Sequence, residues 1–134
     1  MVNLSVCIEM FWGNEPYEKR IELAAATGHK FVEFWGWSNK NLDLVKDTAD
    51  KSNVTISIFC METNRPLVDP NAKPELIAGL KNSITAVKKL GVDRLILTTG
   101  NERKGESFDV TRNTVVRNLK ALVPLLEDNN IVLC

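Results

Sequence analysis

Six side chains stand where this chain could bring them against a small ligand: Cys7, Glu9, Trp12, Glu33, Trp35 and Cys60. Trp12 and Trp35, with the neighbouring Trp37, carry flat apolar faces that can stack on a ring or wall off a small molecule. The alternative for all three is packing against nearby loops. Glu9 falls where the inward face of a first strand would end, as a pocket carboxylate or a solvated one. Cys7 and Cys60 fit either as small pocket-lining groups or as inert buried thiols. Glu62, Asn64 and Arg65, and later Asn101, Arg103 and Lys104, could meet a carboxylate or phosphate, or else stay solvated. No metal ligand is assigned, because the three cysteines are far apart without C-x-x-C spacing and His29 is the only histidine.

The elements that must position these groups follow from patterning. Short β-branched or aromatic runs recur at 4–8, 31–35, 54–60, 94–99 and 131–134, and a helical pattern fills each interval. Tyr17, Ile21, Ala24 and Ala25 make one stripe, with Asn14 as the expected cap and Gly28 as the stop. Leu42, Val45 and Ala49 make a weaker second. The third runs from Pro74 to Gly91, as proline-first, glycine-last asymmetry predicts. The fourth starts after Asp109 or Thr111 and carries Pro124, where a kink or break is expected.

Repeated strand, helix, parallel strand is the right-handed crossover unit, so four such units and a fifth strand predict an α/β fold with a parallel sheet. One strand face would carry Ser5, Cys7 and Glu9, then Phe31, Glu33 and Trp35, then Thr55, Ser57 and Phe59. Polar groups in the middle of such strands suit the interior of a (β/α)8 barrel better than an open doubly wound sheet. No G-x-G-x-x-G or G-x-x-x-x-G-K follows a strand, which weakens a nucleotide-binding reading. Helix-to-strand links are short, whereas 61–73 and 100–108 are long strand-to-helix links. A ligand site is therefore expected at the carboxyl ends of the strands.

The run LSVCIEMFW, then GHKFVEF, KKLGVDRLILTTG and NLKALVPLLEDNNIVLC resemble the xylose-isomerase-like sugar isomerase and epimerase barrels, most of all their hydroxypyruvate isomerase branch. The resemblance implies a (β/α)8 TIM barrel of about 250 residues, of which residues 1–134 would be the amino-terminal half. It implies a small sugar or hydroxy-ketone as substrate and a divalent metal (Mg, Mn, Co or Zn) held by carboxylates and a histidine or glutamine. Two glutamates would exchange a proton with a carbon beside a carbonyl, through an enediolate. The first of those glutamates belongs at the end of the fifth strand, so no catalytic residue is assigned up to Cys134, and the metal is expected only in the complete barrel. Glu33 matches the glutamate of the family's G-x-E-F-like run, which would point it toward the interior near the site; a structural hydrogen bond or ion pair is its other role. A non-catalytic half-barrel that binds or assembles remains the alternative, as does a metal-dependent apurinic endonuclease of the same barrel type.

Seventeen basic residues balance 17 acidic ones, leaving no global field to hold nucleic acid or an anionic membrane. No apolar run approaches the roughly 20 residues of a membrane span. An odd cysteine count and a start without a basic leader point to a cytoplasmic protein. Unpaired outer strands and an uncovered inner face would favour a homo-oligomer.

Overall fold

A computed structural model describes residues 3–134. Five strands and four helices alternate: β1 (Ser5–Cys7), α1 (Tyr17–Ala26), β2 (Phe31–Phe34), α2 (Leu42–Lys51), β3 (Thr55–Cys60), α3 (Lys73–Leu90), β4 (Arg94–Ile96), α4 (Phe108–Asp128) and β5 (Val132–Leu133). The strands are parallel neighbours in the order β1-β2-β3-β4-β5. An open doubly wound sheet reverses its strand order part-way; a sequential order sends every crossover the same way and puts all helices on one face. This is the winding of a TIM barrel, carried through four βα units and a fifth strand.

The helix-facing side of the sheet forms the core. Ile8, Val32, Phe34, Ile56, Phe59 and Leu95 pack there against Ile21, Val45, Leu76, Leu80 and Leu122. Helix ends follow local chemistry. Asn41 caps α2 by accepting from the Leu44 amide, and Ser107 caps α4 by accepting from the Val110 amide. Gly91 ends α3 at φ 69, a left-handed conformation that costs glycine nothing. Two expected boundaries move. Helix α1 has Pro16, not Asn14, at its N-cap and no side-chain cap, and α4 begins before Asp109 and runs through Pro124 to Asp128 without a break. The proline sits in a long helix already anchored by Leu122 and Leu126, and tertiary burial outweighs one lost donor.

A bulge corrects the expected face pattern. Val32 pairs with Ile56 but Glu33 pairs with Ile58, leaving Ser57 as an extra residue in β3. The Ser57 hydroxyl lies 3.1 Å from the Val32 carbonyl oxygen and 2.8 Å from Ser5 Oγ. Past the bulge the alternation of β3 is reversed. Ile58 and Cys60 turn away from the helices, and Phe59 does not join the inner face but is fully buried, stacked on Phe34 with centroids 5.5 Å apart.

Helix α3 crosses the end of β3 closely enough that a Cβ on Gly79 would collide with the Glu62 carbonyl oxygen. Alanine elsewhere in a helix gains about 1 kcal/mol over glycine. Here Gly79→Ala is expected to lose about 1–3 kcal/mol by overpacking. A chemical denaturation series checks it, and a stabilised variant would show that α3 has room to move.

Candidate functional site

Every long connection leaves the carboxyl end of a strand, and there a cleft of about 610 Å³ opens. Gly36, Trp37 and Ser38 beyond β2 form one wall, Cys60 to Asn64 at the end of β3 another, Leu97 and Thr98 beyond β4 a third, and Glu75 to Asn82 of α3 close it. The Glu62 carboxylate is fixed from the opposite wall. Its Oε1 accepts from the Trp37 amide at 2.6 Å and from the Ser38 amide at 3.0 Å. Burial alone would raise the pKa of Glu62, but these amides, with the Ser38 side chain and the Lys40 charge, hold it below the usual carboxylate range. Gly36 admits this arrangement, since a Cβ there would sit 2.8 Å from Glu62 Oε1. Trp37 Nε1 donates to Ser83 Oγ at 3.1 Å, so this indole is a wall tied to α3.

Glu9, just past β1, is the centre of a second network. Tyr17 Oη donates to its Oε2, while Lys40 Nζ at 2.9 Å and the Trp35 amide at 3.2 Å donate to its Oε1. Burial raises its pKa, yet the Tyr17 and Lys40 hydrogen bonds, the Lys40 charge and the Trp35 amide together hold it below the ordinary range. Lys40 also donates to the Gly36 carbonyl and lies over the Tyr17 ring at 3.9 Å. Nearby, buried Arg20 donates to the carbonyls of Glu15 at 2.7 Å, Gly13 at 2.9 Å and Ile8 at 3.1 Å. Three carbonyl contacts fix the turn in which Trp12 holds a positive φ of 55, a conformation that costs a bulky residue energy and persists only where its surroundings dictate it.

The other expected residues divide by exposure. Cys7 faces Glu33 across the β1–β2 register, and both are half-buried on the face turned from the helices. The Cys60 thiol lies within reach of their influence: burial, then Cys7, Glu33, Glu9 and Glu62, push its pKa up, so it is a neutral thiol. Trp12 is half-buried against the core, whereas Trp35 is 55% exposed at the end of β2. In the sequence Glu62 is a long-loop residue that either meets a ligand or stays solvated, Tyr17 belongs to the apolar stripe of α1, and nothing marks Lys40. The signal for Glu62 was its place two residues past a strand, on the side where the long loops gather. Among the described residues no three His, Cys, Asp or Glu side chains come together to hold a metal; these residues do not fit the divalent ion that the resemblance implies.

Residues 21–134 match the model of the xylose isomerase-like TIM barrel family. The chain belongs to that family. Solved structures repeat its backbone. An AP endonuclease, family 2, from Brucella melitensis superposes with a TM-score of 0.88 at 18% identity, over 99% of this chain and 54% of the other. For 3-keto-D-glucoside 4-epimerase from E. coli the TM-score is 0.80 at 14% identity, over 99% and 55%. For D-allulose 3-epimerase from Methylomonas sp. it is 0.75 at 16% identity, over 98% and 50%. The chain thus spans about half the length of these barrels, and at such identities the likeness is one of fold. No curated protein gives a significant match. No helix among the described residues is long and apolar enough to cross a membrane.

Proposed function

We propose that this chain is the amino-terminal half of a cytoplasmic, metal-dependent isomerase or epimerase acting on a small sugar or hydroxy-ketone. The observation that carries the reading is the polar cleft at the carboxyl ends of the strands, in a chain of a family whose solved neighbours include two sugar epimerases. Chemically, a proton leaves the carbon beside a carbonyl and returns to the neighbouring carbon or to the opposite face of the same one, through an enediolate. In this reading the acid, the base and the ligands of the divalent metal lie outside residues 3–134, and this half supplies walls and hydrogen bonds to the substrate. The hydroxypyruvate-type hydroxy-ketone suggested by the sequence motifs is one substrate to assay. The nuclease function named for the Brucella structure has less support, since the charged groups lining this cleft are carboxylates, which repel phosphodiesters.

The test is solvent exchange. A polypeptide in which this half is followed by the remaining barrel units is expected, with Mg, Mn, Co or Zn supplied, to exchange the hydrogen beside the carbonyl of a ketose for deuterium in heavy water. The 134-residue chain alone is expected to show no turnover. Absence of exchange by the completed barrel with free ketoses, phosphorylated ketoses and hydroxypyruvate alike would sink the reading.

Trp35 gives a sharper readout within the same assay. Because it is largely exposed, Trp35→Ala is expected to change stability by no more than about 0.5 kcal/mol, while kcat/KM of the completed enzyme falls at least about tenfold through lost stacking, about 1.4 kcal/mol. Unchanged kinetics would make Trp35 a bystander. Exposed apolar side chains support the proposed homo-oligomer: Leu4, Met10 and Phe11 flank β1 in the chain, Val132 lies in the outer strand β5, and Phe108 and Val116 lie on α4. Light scattering of the 134-residue chain at micromolar concentration is expected to report a dimer or larger species; a monodisperse monomer would contradict it.

A further inference from the structure

We propose that the cleft between β3 and α3 takes an unphosphorylated, hydroxyl-bearing end of the substrate and turns away an anionic one, with Glu62 as the selecting residue. The inference rests on the isomerase and epimerase reading and names the class of group this site accepts. The lining contains two carboxylates, Glu62 and Glu75, and among the described residues no lysine, arginine or histidine. Ser38, Thr63, Asn64, Asn82 and Thr98 add neutral hydroxyl and amide side chains to the lining. The nearest cations are already engaged: Lys40 with Glu9, and Arg65 with Asp69 and Glu75.

Glu62 is built to stay charged and in place. Two backbone amides hold Oε1, and the carboxylate lines the cleft, where it can accept a further hydrogen bond from a ligand. A substrate hydroxyl can donate to it in a charge-assisted hydrogen bond, the stronger kind. A phosphate or carboxylate brings like charge to a fixed anion and finds no cationic side chain lining the cleft. The same negative field is felt at the Cys60 thiol, where Glu33, Glu9 and Glu62 all act in one direction. TIM barrels commonly place phosphate at the loops after strands seven and eight, across the barrel from this cleft.

The experiment compares D-xylulose with D-xylulose 5-phosphate as probes of the 134-residue chain, followed by the backbone amide resonances of Trp37 and Ser38. D-xylulose is expected to shift both amides, and the phosphate ester to bind at least tenfold more weakly at low salt, with the gap shrinking as salt is added. In Glu62→Gln, which keeps an acceptor for the two amides, the preference should fall to within about threefold. Equal or tighter binding of the phosphate ester, or no shift of these amides by either probe, overturns the proposal even if Glu62→Gln fails to fold, because the wild-type comparison decides it. Failure of the isomerase reading is recognised separately, by the absence of solvent exchange in the completed barrel.

Discussion

Lys40→Met is expected to destabilise the fold by roughly 3–5 kcal/mol at neutral pH, the cost of stranding one member of a buried ion pair. The Lys40 side chain is 1% exposed and that of Glu9 12%. Methionine fills the space of the aliphatic stem but offers nothing to Glu9 or to the Gly36 carbonyl, and it forfeits the cation over the rings of Tyr17 and Phe34 at 3.9 and 5.1 Å. The pH dependence has a definite sign. The folded pKa of Glu9 lies below its ordinary 4.5, so its contribution to stability is complete above that value and is lost as pH falls through the lower folded pKa. In the variant the Lys40 hydrogen bond and charge are gone, only the Tyr17 and Trp35 hydrogen bonds oppose burial, and the carboxyl pKa moves upward. The gap between wild type and Lys40→Met therefore narrows on acidification. Urea unfolding at neutral pH and at about pH 3 measures it. A neutral-pH gap under about 1 kcal/mol, the scale of an exposed pair, would mean that the pair is solvated, and a gap widening toward acid would assign the coupling to another group.

What could be read from the sequence was whatever repeats locally. Alternating runs and 3.6-residue stripes located the strands and helices, because each register writes its own period into the chain. Pro74 and Gly91 marked α3 because their backbone preferences act within one turn. The choice of barrel winding was legible from polar residues such as Ser5 and Glu33 in mid-strand. The Glu9 network was not. Lys40 lies in a loop without periodicity, 31 residues from its partner, and only the β1–β2 pairing brings Glu9, the Trp35 amide and Lys40 together. The tryptophans show the same limit from another side: three indoles near strand ends look equivalent in sequence, yet Trp37 is tied to Ser83, Trp12 is held by its turn, and Trp35 is left exposed.

The bulge in β3 is the clearest case of a feature that pattern alone misplaces, and it yields the second large expected effect. Strict alternation puts Thr55, Ser57 and Phe59 on one face. A single extra residue moves everything after it to the other, so Phe59 joins the core and Ile58 takes its place opposite Glu33. Phe59 is 0% exposed and stacked on Phe34; Ile58 is half-buried on the face turned from the helices. Phe59→Ala is therefore expected to cost about 3–5 kcal/mol, the range for an aromatic removed from a core that cannot fully collapse around the loss. Ile58→Ala, deleting a comparable aliphatic group from a surface that stays open in this chain, should cost less than about half as much. Without the bulge the ranking inverts, because Ile58 would lie in the core and Phe59 on the inner face. Paired denaturation curves for the two variants thus read out the register of β3 directly. Equal losses, or a larger loss at Ile58, would place the extra residue elsewhere in the strand and with it change which side chains of β3, Cys60 included, face the cleft.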